Sequence, residues 1–388
     1  MKKLIFDIDI TGHHSEYIGH LVDYLNEKKT DETIYIFIVH PEFSLHFPDI
    51  VDKARQIKNV YWKQIKPKEF YMSKRFGTAL SSFIEFKIVN SYAKELRVDH
   101  VYLLNFHSLK FPGMIFRPEY KISSILFHTF HRLKRESINE KILFYKRFYI
   151  TKYCCKNPNL KSVFILNDKS TVGLMNKEFK SNQFKMLPDP IPTLRAIPNF
   201  NIYEYFGIKK NRKIFLHIGS LGNIKGTLEV LSSAKHINLD CQKNVTILLV
   251  GKARLLSDEA LYTNRIKEIN RDTEVQAIWN NNFVSNDIMK SLFDNCDAVL
   301  LPYKNTEFSS GILGHAAASG KTVIATGQGL IEELVSNYNL GMLLNEPTEI
   351  NIAKKIMEFL LNKIVFNPSN NFVRERNPKI FSEFLLSN

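Results

Sequence analysis

The segment from Leu301 to Leu344 constrains the fold of this chain more than any other. An apolar run over 298–301 ends at Pro302, a polar loop follows, and small residues over 316–319 precede a second apolar run over 322–325. This order predicts a strand, a loop, a helix and a strand, with small residues where the helix lies close to the sheet. The Ser/Gly-rich loop would aim backbone N–H groups and the positive helix end outward, which favours anions such as phosphates. An ordinary α/β connection without a ligand is the alternative interpretation.

The N-terminal half of the chain alternates apolar runs with segments of helical spacing. Residues 33–39 form a continuous apolar run, which is typical of a strand buried in a parallel sheet, and apolar residues in 13–26 recur at helical intervals. The further predicted elements are strands at 2–10, 59–62, 100–104, 123–127 and 162–166 and a helix at 81–96. This alternation predicts a doubly wound α/β domain.

A proline-rich segment separates this half from a second series of the same kind. Pro188, Pro190 and Pro192 lie close together, a pattern that neither a helix interior nor a central strand accepts. Apolar and amphipathic runs alternate again over 214–345. The predicted domains are 1–190 and 191–365, followed by a terminal helical segment at 366–388.

The composition supports a large core in a reducing compartment. Hydrophobic residues make up 44% of the 388 residues, and none of the four cysteines forms a Cys-x-x-Cys pair. Asp7 and Asp9 interrupt the first apolar run, which argues against a signal peptide, and no stretch approaches ~18 uninterrupted apolar residues. We therefore expect a cytoplasmic protein without a transmembrane helix.

Positive charge is concentrated in the N-terminal half. The net charge is +14, and residues 1–190 hold 31 Lys and Arg against 20 Asp and Glu. Within 131–161, nine basic residues are interleaved with five aromatic ones. Such a helix suits an anionic membrane surface, an anionic acceptor or nucleic acid. A solvent-facing helix whose aromatic side chains pack inward is the alternative.

A second loop with phosphate-binding character precedes a predicted helix at 225–234. Gly219 and Ser220 follow an apolar run over 214–218, and Lys225 stands at the start of the helix. A lysine there would bind a diphosphate as a point charge, whereas a surface lysine at a helix start is the simpler interpretation.

Both loops resemble the donor-binding half of the GT-B glycosyltransferases of retaining family 4. That family carries two glutamates separated by seven residues, at the start of a helix that ends in small-Gly-x-Pro-Val-Ile. Glu307 fills the first position, His315 replaces the second glutamate, and Gly320-Lys321-Thr322-Val323-Ile324 matches the end with threonine for proline. In the other loop, Ser220 replaces the arginine of the family's Gly-Arg-Leu, and Lys225 with Gly226 matches its Lys-Gly. The resemblance implies two Rossmann-like domains facing a central cleft, with a terminal helix crossing back to the first domain.

The resemblance also implies a site for a nucleotide-diphosphate sugar. Lys225 and the backbone N–H groups of 308–313 would stabilise the diphosphate, and Glu307 would hydrogen-bond hydroxyls of the donor sugar. His315 stands where the family binds the nucleotide ribose, and Phe283 stands where the base is read, although an apolar residue at a strand end is more often core. The candidate donor-binding residues are Gly12, Gly219, Ser220, Lys225, Phe283, Glu307, Phe308, Ser309, Ser310, Gly311, Ile312, Leu313 and His315.

In the N-terminal domain the resemblance points to histidines. His128 follows a predicted strand in a Phe-His-Thr segment, and the family's corresponding histidine lies by the reacting sugar carbon. The candidate catalytic residues are therefore His128 and Glu307. The family's Gly-containing loop after the first strand contacts the acceptor and the donor phosphate, which makes His13 and His14 candidate acceptor-side residues. His107 is a further acceptor-side candidate and the alternative to His128.

We predict no metal site. Two adjacent histidines on a loop, such as His13 and His14, seldom share one ion without further ligands. The Asp7-x-Asp9 pair has the spacing of a metal motif, but we assign both residues to the first strand and give them a structural role.

The sequence therefore predicts a glycosyltransferase that moves a hexosyl group from a nucleotide-diphosphate sugar to an acceptor hydroxyl, without a cofactor. We expect a lipid-linked or anionic glycan as acceptor, in surface polysaccharide or glycolipid assembly, and peripheral attachment to the inner face of a membrane through 131–161. A nucleotide-sugar 2-epimerase of the same fold is one alternative, although it needs acidic and histidine groups on both sugar faces and the sequence shows no paired carboxylates. A non-catalytic binding protein is the other, with nucleic acid the less favoured ligand.

Overall fold

A computed structural model describes residues 1–28, 32–361 and 370–387 of the chain. The chain forms two compact units, one of Met1–Pro190 with Asn377–Asn388 and one of Ile191–Arg376. The proline-rich segment lies at the boundary between them. The predicted second domain ended at 365, whereas the second unit continues to Arg376.

The first unit is built on a parallel sheet. Its strands are β1 (Lys2–Asp7), β2 (Ile34–Val39), β3 (Val60–Gln64), β4 (His100–Leu103), β5 (Lys121–Ile125), β6 (Leu160–Leu166) and β7 (Phe184–Leu187). They lie in the order β3-β2-β1-β4-β5-β6-β7, with Lys3 opposite Tyr35 on one side and His100 on the other. β2 is a continuous apolar run because both faces of this parallel sheet are buried.

Helices cover both faces of this sheet. They are α1 (His14–Glu27), α2 (Phe43–His46), α3 (Pro48–Arg55), α4 (Pro67–Lys74), α5 (Thr78–Leu96), α6 (Pro112–Ile115), α7 (Ile138–Cys155) and α8 (Lys169–Phe179), with a 3-10 turn at Phe106–Leu109. Successive β1 side chains alternate between two cores, since Leu4 and Phe6 pack in one cluster and Ile5 packs in the other.

The second unit repeats this plan with its own parallel sheet. Its strands are β8 (Lys213–Ile218), β9 (Val245–Val250), β10 (Gln276–Asn280), β11 (Ala298–Leu301), β12 (Thr322–Thr326) and β13 (Gly341–Leu344). They lie in the order β10-β9-β8-β11-β12-β13. Phe215 packs in one core cluster, and its neighbours Ile214 and Leu216 pack in the other, so helices again cover both faces.

The helices of the second unit lie mostly between successive strands. They are α9 (Ile202–Phe206), α10 (Thr227–Ser232), α11 (Leu239–Gln242), α12 (Leu256–Asp272), α13 (Asn286–Asn295), α14 (Gly311–Ala318), α15 (Gly329–Asn337), α16 (Glu349–Leu360) and α17 (Asn370–Glu375), with 3-10 turns at Asn223–Lys225 and Ser233–His236. Residues 298–326 thus form β11, α14 and β12, the predicted strand, helix and strand.

The last helix, α18 (Pro378–Ser387), belongs to the first unit. The ring of Phe381 lies 4.8 Å from that of Tyr17, and the Ser382 hydroxyl donates to the carbonyl of His20 at 3.0 Å. The Lys3 ammonium group donates to the carbonyl of Leu386. The chain therefore returns to its first unit after completing the second, which agrees with the predicted crossing of a terminal helix.

The cysteines and the lengths of the helices bear on the expected compartment of the chain. The four cysteines, Cys154, Cys155, Cys241 and Cys296, are free thiols. No helix within the described ranges is both long and apolar enough to cross a membrane.

Candidate functional site

The second sheet has a topological switch point between β8 and β11. From β8 the chain continues outward through β9 and β10, and then returns to the other side of β8 to form β11, β12 and β13. Connections therefore leave β8 and β11 in opposite directions, which opens a crevice at their carboxyl ends where ligands of such sheets bind. The loops that follow these strands, 219–226 and 302–310, are the two loops that the sequence analysis selected.

The two loops are held against each other by backbone contacts. Gly226 adopts a positive φ of 72°, and a Cβ atom added there would lie 2.2 Å from the carbonyl oxygen of Pro302. The backbone N–H of Lys304 donates to the carbonyl of Ile224 at 2.9 Å, and its ammonium group donates to Asn223 Oδ1 at 2.6 Å. Glycine at 226 is therefore required both by the backbone angle and by this close approach.

Lys225 carries an available positive charge at this edge. Its ammonium nitrogen lies 3.7 Å from the centroid of the buried Tyr303 ring, a cation–π contact that fixes its position. The neighbouring Lys304 differs, because it pairs with the carboxylate of Glu229 at 2.6 Å. Among the residues that the structure describes, no carboxylate pairs with Lys225. An anion at the crevice would thus find Lys225 without a competing carboxylate.

A buried hydrogen-bond relay supports the 219–226 loop from below. His217 Nδ1 lies 2.9 Å from the carbonyl of Leu300, so it is the donating nitrogen, and its Nε2 accepts from the Thr227 hydroxyl at 3.0 Å. The Thr227 oxygen in turn accepts from the backbone N–H of Gly222 at 3.0 Å. Burial lowers the pKa of His217 to about 4, which keeps the imidazole neutral at physiological pH. The relay joins β8, the loop and α10 to β11.

The loop before α14 presents half-buried polar groups. The N–H of Glu307 donates to Asn305 Oδ1 at 3.0 Å, a local turn that shapes the loop. The Ser310 hydroxyl lies 3.5 Å from the hydroxyl of Tyr303, the residue on which Lys225 stacks. α14 begins at Gly311, so its first N–H groups follow Ser309 and Ser310 directly. Lys225 and the start of α14 are therefore linked through one aromatic side chain.

The first sheet has an equivalent switch point between β1 and β4. Polar groups gather where these strands end: His14 Nδ1 lies 2.7 Å from Asp7 Oδ2, and Asp9 lies 3.2 Å from Asn105 Nδ2. Burial raises the pKa of Asp7, and although burial alone would lower the pKa of His14, the Asp7 carboxylate raises it above its ordinary value. The pair therefore retains a proton to higher pH than a free histidine does.

The same edge carries an ion-pair chain that reaches two further helices. The Lys74 ammonium group, at the end of α4, lies 3.0 Å from Asp9 and 3.6 Å from the buried Glu85 of α5. His107 Nε2 lies 3.9 Å from Glu85 and 3.4 Å from the Ser81 hydroxyl. Asp9 and Glu85 are thus paired carboxylates around one lysine, which the sequence analysis did not anticipate.

A cavity of about 100 Å³ opens beside this chain, at the ends of β4 and β5. Its polar lining consists of Asn105, His107, Lys110, His128, Arg147 and Thr151. Burial lowers the pKa of His128, and the positive charges of Arg147 and Lys110 lower it further. The structure thus brings together His107 and His128, two histidines predicted separately from the sequence.

Comparison with known proteins agrees with this geometry. Residues 201–377 match the family model of group 1 glycosyl transferases. The matched residues lie almost entirely in the second unit. A curated relative, a lipopolysaccharide 1,2-N-acetylglucosaminetransferase of Salmonella typhimurium, is 25% identical over 157 residues, which are 40% of this chain and 41% of that protein. The match thus spans about two-fifths of the relative's length.

Solved structures extend the likeness of fold to the whole chain. HepE from Anabaena in complex with UDP-glucose superposes with a TM-score of 0.64 and 16% identity, over 100% of this chain and 96% of that one. WaaG, a glycosyltransferase involved in lipopolysaccharide biosynthesis, gives a TM-score of 0.64 and 14% identity over 100% of both chains. The match over 201–377 supports the predicted family, and the predicted two-domain GT-B fold is confirmed.

Some of the predicted donor-binding residues have other contacts in the second unit. The side chain of Leu313 is buried in the core and its N–H donates to the carbonyl of Ser310, while the ring of His315 stacks on Phe293 at 5.6 Å. Phe283 is 90% exposed, so it is not a core residue. Gly219, Ser220, Lys225 and the segment 307–312 lie in or next to the two loops at the switch point. The assignment of these residues to donor binding stays a prediction.

In the first unit, Gly12 and His13 lie in the loop before α1, and Gly12 has a positive φ of 67° with open space around it. The interpretation that Asp7 and Asp9 share the first strand is wrong, because β1 ends at Asp7. Ligand atoms of Asp7, Asp9 and His14 instead lie within 4.8 Å of one another. The pairing of Asp9 with Glu85 had no sequence signal, since their common partner Lys74 lies 65 residues from Asp9 along the chain.

Proposed function

We propose that this protein is a retaining glycosyltransferase that moves a sugar from a nucleotide-diphosphate sugar to an acceptor hydroxyl. The observation that carries the proposal is Lys225, a cation without a carboxylate partner among the described residues, at the switch point of a group 1 glycosyl transferase domain. Two structures similar in fold, those of Anabaena HepE, are complexes with UDP and with UDP-glucose, which favours a nucleotide-sugar donor.

The reaction assigns a role to each group at the switch point. As the bond between the sugar C1 and the diphosphate oxygen breaks, negative charge develops on the leaving nucleotide diphosphate. Lys225 and N–H groups around Ser309, Ser310 and Gly311 would stabilise this charge, and loss of one such donor costs about 10²-fold in rate. Glu307 would accept hydrogen bonds from hydroxyls of the donor sugar and so fix the ring.

Retention of configuration requires the acceptor to attack from the side that the diphosphate leaves. The acceptor oxygen then bonds to C1 while its proton passes to the departing phosphate oxygen. This route needs no separate protein base, so His128 would position a hydroxyl rather than remove its proton. A neutral His128 suits this task, and burial together with Arg147 and Lys110 lowers its pKa in that direction.

The acceptor would be a lipid-linked or anionic glycan in surface polysaccharide or glycolipid assembly. The curated relative acts on lipopolysaccharide by its name, and helix α7 has the surface for membrane contact. Tyr145, Tyr149 and Tyr153 stack along its outer side with 6.4 Å between successive rings, and all three are exposed. Phe144 and Phe148 pack instead against the core, so α7 has both an inner and an outer aromatic face.

This outer face would hold a cytoplasmic protein to the anionic inner leaflet of a membrane. Exposed tyrosines enter the headgroup region, and basic residues of the 131–161 stretch attract anionic lipid. Binding of vesicles rich in phosphatidylglycerol should fall when Tyr149 and Tyr153 are changed to serine. The change Tyr61→Ser is the control, because Tyr61 is equally exposed on β3 of the same unit. Vesicle binding that survives ~0.5 M salt in full would contradict the electrostatic part of this proposal.

Activity is tested by nucleotide release from a panel of nucleotide-diphosphate sugars, with and without glycolipid extracts as acceptor. We expect acceptor-dependent release with one donor, and nuclear magnetic resonance of the product should show the donor's anomeric configuration. Glu307→Gln should lower the rate at least about 10²-fold, whereas Glu274→Gln should not. Glu274 is an exposed carboxylate before β10, at the opposite edge of the same sheet.

Other products of the same assay would point to the alternatives. An epimerase needs acidic groups and histidines near the sugar, and the sequence showed no paired carboxylates. Asp9 and Glu85 are paired around Lys74 with His107 beside Glu85, so these groups are present in the structure. Release of a free epimerised sugar without acceptor would replace the transferase proposal. A product with inverted configuration would contradict the retaining mechanism.

A further inference from the structure

The cavity at the ends of β4 and β5 has a lining of uniform charge sign. Lys110, Arg147, His107 and His128 supply its ionisable groups, and none of its ten lining residues is acidic. The remaining wall is largely apolar, formed by Phe106, Leu126, Phe127 and Ile150. Charges against an apolar wall interact more strongly than charges in water, so this lining favours an anion.

The two strong cations are brought together by the fold rather than by local sequence. Lys110 follows the 3-10 turn after β4, whereas Arg147 lies in the middle of α7. Arg147 is anchored, because its Nη1 donates to the carbonyl of Thr129 at 2.8 Å and its own carbonyl accepts from the Thr151 hydroxyl. Lys110 has no carboxylate within ion-pair distance among the described residues.

The repulsion between these positive charges lowers the pKa values of groups in the cavity. Burial lowers the pKa of Lys110, and the charges of Lys146 and Arg147 lower it further. A bound anion would relieve this repulsion and return the pKa of Lys110 and of His128 towards ordinary values. The carboxylates of Glu85 and Asp9 contact His107 and Asn105 of this lining and are already paired with Lys74.

The cavity has room for a small anion. A cavity of about 150 Å³ holds one benzene molecule, so a volume of about 100 Å³ is sufficient for a phosphoryl group. We propose that this cavity binds a phosphoryl group carried by the acceptor, with Lys110 and Arg147 as its main ligands. The proposal rests on the proposed transferase function, because it specifies the acceptor as a phosphorylated molecule.

Inorganic phosphate is the probe, titrated by calorimetry at low ionic strength into the full-length protein. Binding should weaken at least about ten-fold in Lys110→Gln and in Arg147→Gln, since each removes a charge-assisted hydrogen bond. Lys58→Gln is the matched control, because Lys58 is an exposed lysine of the same unit at the opposite sheet edge. If circular dichroism shows that Arg147→Gln is unfolded, the result for Lys110→Gln decides, since the Lys110 side chain donates no hydrogen bond within the described part of the chain.

Phosphate could also bind at the donor loop, so Lys225→Ala separates the two sites. Phosphate binding that persists in Lys225→Ala and is lost in Lys110→Gln supports the cavity, whatever the outcome of the nucleotide assays. Binding that is lost in Lys225→Ala and unchanged in Lys110→Gln overturns it, and so does the absence of phosphate binding in a protein that still binds a nucleoside diphosphate.

Two sources would supply the phosphoryl group, and vesicles distinguish them. If the group belongs to a lipid headgroup, inorganic phosphate should displace the protein from phosphatidylglycerol vesicles, and Lys110→Gln should weaken vesicle binding. If it belongs to the acceptor sugar, vesicle binding should not respond to either change. In this second case an acceptor whose phosphate has been removed by phosphatase should react with an elevated KM. An unchanged KM together with vesicle binding that responds to neither change would contradict the proposal.

Discussion

The hydrogen-bond relay beneath the 219–226 loop makes a quantitative prediction through Thr227. The buried Thr227 hydroxyl donates to His217 Nε2 and accepts from the N–H of Gly222, both at 3.0 Å. Thr227→Val keeps the shape of the side chain but removes the hydroxyl, so His217 and Gly222 each lose a hydrogen-bond partner. Each buried polar group left unpaired costs about 1–3 kcal/mol, so the two groups together should cost about 2–6 kcal/mol in the free energy of unfolding of the second unit.

The two tryptophans allow this loss to be measured for one unit alone. Trp62 lies in the first unit and Trp279 in the second, where its indole N–H donates to the carbonyl of Gly251 at 3.0 Å. Trp62→Phe removes the first reporter at little cost, because the indole nitrogen of Trp62 is buried without a hydrogen-bond partner. Urea unfolding followed by the remaining fluorescence then reports on Trp279 and the second unit.

Thr227→Ser is the control, since serine keeps the hydroxyl and loses only a methyl group. We expect it to retain most of the stability that Thr227→Val loses. Nucleoside diphosphate binding should also weaken in Thr227→Val, because the loop that carries Lys225 is no longer tied to β8. A free energy of unfolding for Thr227→Val within about 0.5 kcal/mol of the parent would refute the relay.

Two further predictions concern the same loop, measured in the Trp62→Phe background. Gly226→Ala should cost more than Gly320→Ala: both have positive φ, for which a side chain costs about 1–2 kcal/mol, but only at 226 does the new Cβ meet an atom, the Pro302 oxygen. Equal losses would show that this contact is absent. Because burial lowers the pKa of His217 to about 4, the unfolded chain binds a proton below about pH 6.5 that the folded protein does not. The free energy of unfolding should therefore fall by about 1.4 kcal/mol per pH unit as the pH drops from 6.5 towards 4, and His217→Gln should remove that slope; an unchanged slope would contradict a neutral buried His217.

The alternation of apolar runs predicted six of the seven strands of the first sheet and missed β7. Parallel strands buried on both faces are continuous apolar runs, and β2 and β9 show this pattern clearly. The boundaries were less accurate. β1 ends at Asp7 rather than at 10, because Ile8 and Ile10 continue the alternation of apolar residues after the pairing with β2 has ended. Apolar residues near a strand end are buried whether or not they belong to the strand.

The two switch points show what local sequence can and cannot predict about a site. The loop 219–226 and the loop before α14 each carry a local signature, glycine and serine before a helix, and the sequence identified both. The chain Asp9–Lys74–Glu85–His107 has none, because its members come from four separate elements. Only the order of strands in the sheet brings them together.

The basic helix α7 also shows which features of a surface the sequence can and cannot predict. The sequence showed that 131–161 is basic and aromatic, but not that α7 turns Arg147 inward to a cavity and Tyr145, Tyr149 and Tyr153 outward. One helical stretch thus offers two separate surfaces. The position of a residue in the sequence does not show whether its side chain faces the core or the solvent until the packing of the helix is known.

Binding of a nucleoside diphosphate tests the central claim most directly. We would measure thermal stability of the protein, of Lys225→Ala and of Lys243→Ala with UDP, GDP, ADP, CMP and dTDP. Lys243 is an exposed lysine at the opposite edge of the second sheet. A ligand at 100 times its Kd adds about 2.7 kcal/mol of stability. We predict that one nucleoside diphosphate stabilises the protein and Lys243→Ala but not Lys225→Ala. Stabilisation by none of these nucleotides, or equal stabilisation of Lys225→Ala, would contradict the account.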